Sequence, residues 1–279
     1  MTIYREKIPS TDPRLNRHVH HDSRSWGFEF DTTELSIQSV EWKRELLILD
    51  QGNVGSCTAD AAIGLLGTAP LVSDKLMSLI GQKYGSFDQN CAYKLYSDEE
   101  DLDGDGPYPP NDNGSSGLTS AKALRNAGII TGWSQTFSLE DAMKALTVTP
   151  FITGTVWYNS MFRPDADGLV TVDTSSGIAG GHEYEVVGFD AVKGLVKFAN
   201  SWGNSWGRDG YFYLSVTDYG TLLYNNGDVT IFSLELAPQP VDPDAKLAVV
   251  AKEWVSHPHV GSNNVMAKAL KVWLKTSGR

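Results

Sequence analysis

Asp50-Gln51-Gly52-Asn53-Val54-Gly55-Ser56-Cys57-Thr58-Ala59 is the stretch on which the reading of this chain turns. A single cysteine closes a glycine-bearing loop and opens the apolar run ADAAIGLL, which predicts a buried helix over about 57–67. A thiol at a helix N-terminus faces free N–H groups and the positive end of the macrodipole, and both favour the thiolate. The thiolate is the nucleophilic form, so a covalent catalyst can be built here. Taken alone, such a cysteine reads as a small core residue. The decision lies downstream.

Working outward, Leu46-Leu47-Ile48-Leu49 leads the chain into the cysteine loop, and a second helix is expected over about 91–99. Cys91 at its start reads as a packing residue. Asp101-Leu102-Asp103-Gly104-Asp105-Gly106 matches the first half of a calcium loop. Asp112 stands where the bidentate Glu should be, and Pro107, Pro109 and Pro110 interrupt the exit, so an acidic, solvated turn is expected. Ser115 and Ser116 offer a cap for a helix ending near Gly128, and Ser138 one for a helix to Leu146. Beyond Pro150 the texture changes to short Val-, Phe-, Tyr- and Ile-rich runs at 151–157, 183–189, 195–199, 211–216 and 229–234. Gly, Asn and Asp bound them, which is the pattern of an antiparallel sheet. A helical first half and a strand-rich second half give an α+β fold of two lobes.

Two further stretches join the first. Gly180-Gly181-His182-Glu183-Tyr184-Glu185-Val186-Val187-Gly188-Phe189 puts a histidine at the entrance of a strand. Phe198-Ala199-Asn200-Ser201-Trp202-Gly203-Asn204-Ser205-Trp206-Gly207-Arg208-Asp209-Gly210-Tyr211 follows it. In the order Gln51, Cys57, His182, Asn200, the chain resembles the papain family of cysteine peptidases over residues 38–236.

The resemblance implies a papain-like fold, with Cys57 on a helical lobe and His182 and Asn200 on a sheet lobe. It implies hydrolysis of peptide bonds through a Cys57 acyl-enzyme, with His182 as acid and base and Asn200 orienting the imidazole. Gln51 and the Cys57 N–H would form the oxyanion hole, and Trp202 would shield the Asn200–His182 hydrogen bond. Each role answers a need: an imidazolium lowers the thiol pKa, waiting donors stabilise the oxyanion, and a third group fixes the tautomer. Gly114, Ser115, Ser116, Gly181 and Trp202 are expected along the bound peptide. No metal and no cofactor are implied.

The family motif Cys-Gly-Ser-Cys-Trp is here Val54-Gly55-Ser56-Cys57-Thr58, which removes one cysteine and an aromatic residue. The segment before Gln51 is too short for a large inhibitory prodomain, and a short plug over the cleft is the remaining N-terminal device. These departures are more like bacterial or phage members. The expected organisation is an N-terminal extension over 1–37, the peptidase domain over 38–236, a Pro-rich linker over 237–243 and a helical hairpin over 244–279. In the hairpin Leu247, Val250, Ala251 and Trp254, then Met266, Ala269, Leu270 and Trp273, repeat the helical spacing. It is too small to stand alone and is expected to pack on the main body or on a protein partner.

Composition bounds the rest. The chain has 279 residues, 41% hydrophobic and 20% charged, as in an ordinary globular protein. A net charge of −11 argues against a nucleic-acid surface. No apolar run reaches the length of a membrane helix, and the N-terminus lacks a signal-like apolar core. The two cysteines, Cys57 and Cys91, read as free thiols in a reducing, cytoplasmic compartment. His18, His20 and His21 read as solvated residues near a terminus. Two readings compete with proteolysis: a binding or assembly module on the same fold, and a thiol acyltransferase or peptidoglycan cross-link hydrolase.

Overall fold

The apolar run after the cysteine forms helix α1 (Cys57–Leu66), and all ten of its residues are buried. Burying side chains such as Ile63, Leu65 and Leu66 contributes about 1.5–3 kcal/mol each, enough to fix the helix at the centre of the molecule. The computed structural model describes residues 3–234. The linker and the C-terminal hairpin lie outside them, and the expected strand 229–234 stops one residue short, at Ser233.

Around α1 stand α2 (Asp74–Tyr84), α3 (Gln89–Asp103) and α4 (Gly117–Asn126). Each opens on a side chain that accepts a hydrogen bond from the first turn: Ser73 from Leu76, Asp88 from Asn90 and Cys91, Ser116 from Thr119. These helices close over a core of Leu49, Ile63, Leu66, Ile80, Leu95 and Leu124. Cys91 is buried there, and both cysteines are free.

The second half is an antiparallel sheet. Its strands are β4 (Gly132–Gln135), β5 (Phe151–Tyr158), β6 (Ile178–Asp190), β7 (Leu195–Ala199), β8 (Tyr211–Ser215) and β9 (Asp228–Ser233), in the spatial order β4-β9-β5-β6-β7-β8. The short β3 (Val40–Glu41) pairs with β6. Helix α5 (Leu139–Leu146), capped by Ser138, and helix α6 (Val216–Tyr224), capped by Ser215, flank the sheet. A second core of Trp157, Tyr184, Val186, Phe198, Phe212 and Leu214 fills it. Two cores meeting where α1 packs on β5 and β6 give the expected α+β arrangement of two lobes.

Several expectations are corrected. The second helix runs from Gln89 to Asp103 because Asp88 caps it three residues before Cys91. Asp101 and Asp103 therefore lie in its last turn, which ends at Gly104 with φ 87°. Asp103 turns inward to Ser115 Oγ at 2.7 Å, Thr119 Oγ1 at 3.0 Å and Arg5 at 3.0 Å, while Asp101 and Asp105 stay exposed, so the expected acidic, solvated turn holds except at Asp103. The N-terminal residues form a hairpin of β1 (Ile3–Lys7) and β2 (His18–Asp22). His18 and His20 are buried in it, against the solvated reading.

Candidate active site

Gln51 belongs to the loop that enters α1, and Cys57 opens the helix. The Gln51 carboxamide is turned by its neighbours: Oε1 accepts from Ser201 Oγ at 2.7 Å and from Trp202 Nε1 at 3.1 Å. Its NH2 group therefore faces the opposite way, donating to the Val54 carbonyl at 2.7 Å and the Arg14 carbonyl at 3.3 Å. Cys57 occupies the first position of α1 and is fully buried. The Glu183 N–H, next in sequence to His182, reaches the sulfur, which places Cys57 against the imidazole's strand.

His182 lies on β6 and Asn200 just beyond β7. His182 Nε2 and Asn200 Oδ1 are 2.7 Å apart. The Ser201 N–H donates to the same Oδ1 at 2.9 Å, which fixes the amide's orientation. An acceptor oxygen there requires Nε2 to carry the proton, leaving Nδ1 bare. Nδ1 has no hydrogen-bond partner among the described residues. The Trp202 ring lies 4.8 Å from the imidazole and Trp157 stands edge-on at 5.1 Å, so the pair is sealed by aromatic walls.

The N-terminal segment runs through this cleft. Arg14 stacks its guanidinium 4.3 Å over Trp202 and pairs with Asp12 at 2.7 Å. The Asn16 N–H reaches the Cys57 sulfur. Arg17 N–H donates to the Gly181 carbonyl at 3.1 Å, and His18 N–H to the Ser115 carbonyl at 2.6 Å. Gly114, at φ +87°, and Gly55 are needed where they stand, because a Cβ at either would collide with Asn16. The expected peptide-binding residues thus divide. Ser115 and Gly181 bind the segment through their carbonyls, and Trp202 through its ring. Ser116 meets His20 through its hydroxyl at 3.0 Å while capping α4. Gly114 makes room, its own N–H turned to Tyr96 Oη and Glu100 Oε1.

Electrostatics in this closed cleft differ from the sequence expectation of a thiolate beside an imidazolium. Burial pushes the Cys57 thiol up to about 12, although the Glu183 and Asn16 N–H groups pull the other way. Burial likewise lowers His182 to about 4, against the support of Asn200. Both groups are neutral at pH 7. Burial is the leading cause for both, and the Arg14 charge adds to it at the imidazole.

The sequence reading missed Ser201, which orients two amides, and the charged group Arg17, Glu183 and Asp228. A signal existed for Glu183. It and Glu185 interrupt an apolar strand at alternate positions, and charges on a buried face demand partners.

A papain family cysteine protease model matches residues 37–226. Among curated proteins, the probable cysteine protease RDL2 of Arabidopsis thaliana is 27% identical over 199 residues, covering 63% of this chain and 54% of its own length. Cysteine proteinase RD21A of the same plant is 27% identical over 201 residues, covering 64% and 42%. The chain thus spans about half the length of these curated relatives. Among solved structures, xylellain, a cysteine protease from Xylella fastidiosa, superposes with TM-score 0.58 at 18% identity, over 84% of this chain and all of its own. Procathepsin B S9 from Trypanosoma congolense gives 0.50 at 15% identity, over 75% and 82%. At these identities the likeness is one of fold.

Proposed function

Because the chain belongs to the papain family of cysteine proteases, we propose that it hydrolyses peptide bonds, with Cys57 as nucleophile, His182 as acid and base, Asn200 as orienter and Gln51 in the oxyanion hole. The observation that carries this reading is the Arg14 carbonyl seated against Gln51 Nε2 while the Asn16 N–H reaches the Cys57 sulfur. A segment of the chain itself, turning at Arg14 and running straight from Asn16 to His18, already occupies the cleft.

In the proposed cycle His182 Nδ1 takes the Cys57 proton and the thiolate attacks the substrate's carbonyl carbon. The oxygen, now carrying the electron pair of the C=O bond, faces Gln51 Nε2. The Asn200 oxygen, accepting from Nε2–H, holds the ring in the tautomer that leaves Nδ1 free and then stabilises the imidazolium. As the C–N bond breaks, His182 returns the proton to the leaving amine and a thioester remains. Water, deprotonated by His182, attacks the thioester, and the sulfur leaves with that proton to restore the thiol. One oxyanion donor is worth about 3–4 kcal/mol, so Gln51→Ala is expected to lower kcat by roughly 100- to 1000-fold.

The closed form is the resting state in this proposal. Cys57 is fully buried, so a substrate must displace the Arg14–His18 stretch before reaction. Admitting water removes the burial that keeps thiol and imidazole neutral, and the pair can then exchange its proton. The test is digestion of a peptide mixture by the chain carrying Arg17→Ala, with and without Cys57→Ala. Cleavage that requires Cys57 supports the reading. Cleavage that survives Cys57→Ala refutes it, and products joined to an amine acceptor instead of water would favour acyl transfer.

A further inference from the structure

Beside the cleft lies a charged group with no part in the chemistry of Cys57. Glu183 follows His182 on β6 and is fully buried, while Asp228 opens β9 with its side chain 8% exposed. Both face one guanidinium, that of Arg17, which is itself fully buried. Arg17 Nη2 pairs with Asp228 Oδ2, Nη1 donates to the Asn226 carbonyl at 3.0 Å, and Nε lies 3.8 Å from Glu183 Oε2. Gly154 forms one wall, where a Cβ would collide with both Arg17 Nε and Glu183 Oε2. The space between these groups is filled by the flat guanidinium.

Arg17 does not belong to the framework around it. It arrives on the segment that fills the cleft, one residue after the N–H that reaches Cys57. Among the described residues it is the cation paired with either carboxylate, and neither Glu183 oxygen has a hydrogen-bond partner. When the segment leaves, the Asp228 carboxylate and the Glu183 carboxyl, which burial and the neighbouring Asp228 hold well above the usual carboxylate range, lose the guanidinium that faces them, and a replacement cation restores that contact. A peptide entering the vacated cleft can supply one.

We infer that the Glu183–Asp228 pocket selects a cationic side chain of the peptide substrate, arginine before lysine, and that Arg17 is its occupant in the closed form. The planar fork of a guanidinium meets the Asp228 carboxylate and the Asn226 carbonyl at once, whereas an ammonium is a point charge that spans them poorly. The substrate class rests on the peptidase reading, but the pocket's affinity for a guanidinium does not.

Two measurements on the full chain carrying Arg17→Ala test this. In the first, cleavage sites in a random peptide library are read by mass spectrometry. Arginine is expected at one fixed position from the scissile bond, enriched by about tenfold or more, and either Asp228→Asn or Glu183→Gln should cut that enrichment by a similar factor. In the second, acetyl-arginine amide is expected to raise the melting temperature more than acetyl-leucine amide, with the difference abolished by Asp228→Asn. Cleavage without arginine enrichment, or equal stabilisation by the two amides, overturns the pocket. A chain that cleaves nothing yet binds acetyl-arginine amide through Asp228 upholds the pocket and overturns the peptidase reading.

Discussion

Two buried arginine–glutamate pairs stand two residues apart on the same face of β6, and they are built differently. Arg44 spends all three guanidinium nitrogens within the framework: Nη1 on Glu185 at 2.5 Å, Nε on the Leu46 carbonyl at 3.0 Å and Nη2 on the Leu47 carbonyl at 3.3 Å. It joins the loop before α1 to the sheet and has no part in the cleft. Arg17 comes from the N-terminal hairpin, leaves Nε without a hydrogen bond and lies 3.8 Å from Glu183. The same chemistry thus serves two ends. An arginine with every nitrogen bonded holds the lobes together, even though Glu185 Oε1 has no hydrogen-bond partner among the described residues, while an arginine with a bare Nε marks a place where the cation can be exchanged.

The sharpest way to break this comparison is to remove each arginine. Arg44→Ala leaves Glu185 charged in a framework that cannot open, and a loss of roughly 3–5 kcal/mol in unfolding free energy is expected by denaturant titration. Arg17→Ala can be relieved by undocking the segment, so its loss should be clearly smaller, with faster alkylation of Cys57 as its signature. Equal losses from the two variants would erase the distinction.

Glycines provide the next contrast. Gly64 gives room to the Arg44 guanidinium and Gly154 to that of Arg17. Gly64→Ala should destabilise the fold by about 1–3 kcal/mol through overpacking. Gly154→Ala should instead expel Arg17, raising hydrogen exchange over residues 14–18 with a smaller change in the melting temperature.

The last contrast is the effect of pH on docking of the N-terminal hairpin, which the framework pair around Arg44 does not share. His18 is lowered to about 4 by burial, with Arg5 and Lys7 adding and the Asn113 carbonyl and Asp105 opposing. His20 is lowered to about 4 by burial, with Lys122 and Arg5 adding and Asp22 and Asp228 opposing. His21, facing Asp228 and Arg17, moves the same way, and His182 beneath the segment is also lowered to about 4. A released histidine titrates near 6.5, so the open form binds protons that the closed form cannot. Docking is therefore complete above pH 6.5 and weakens as pH falls toward 4. Exchange over residues 14–18 should rise through that window, and tighter protection in acid would contradict the assignment.

How far the sequence could reach follows from the same contrast. Helix α1 and the strands β5 to β9 were legible because their apolar residues alone dictate period and burial. Helix α2 was not, since it buries only Leu76, Ile80 and Tyr84 in a thin stripe. Helix α6 was hidden by Val216, Thr217 and Gly220, poor helix formers that Ser215 and packing override. Gln51, Cys57, His182 and Asn200 were legible as a set through family resemblance, and the fold brings them to one cleft. The Arg17 pocket was out of reach, because its partners Asn226 and Asp228 lie 209 and 211 residues along the chain. The hairpin β1–β2 was missed for a related reason: its place is set by a cleft that exists only once both lobes have formed.

The most direct test of the central claim is peptide cleavage by the Arg17→Ala chain in water enriched in heavy oxygen, with Cys57→Ala and His182→Ala added in turn. The predicted result is fragments whose new C-termini carry the heavy oxygen, lost when either residue is replaced. Cleavage that persists without Cys57, or no cleavage from a correctly folded chain whose segment is demonstrably undocked, would contradict it.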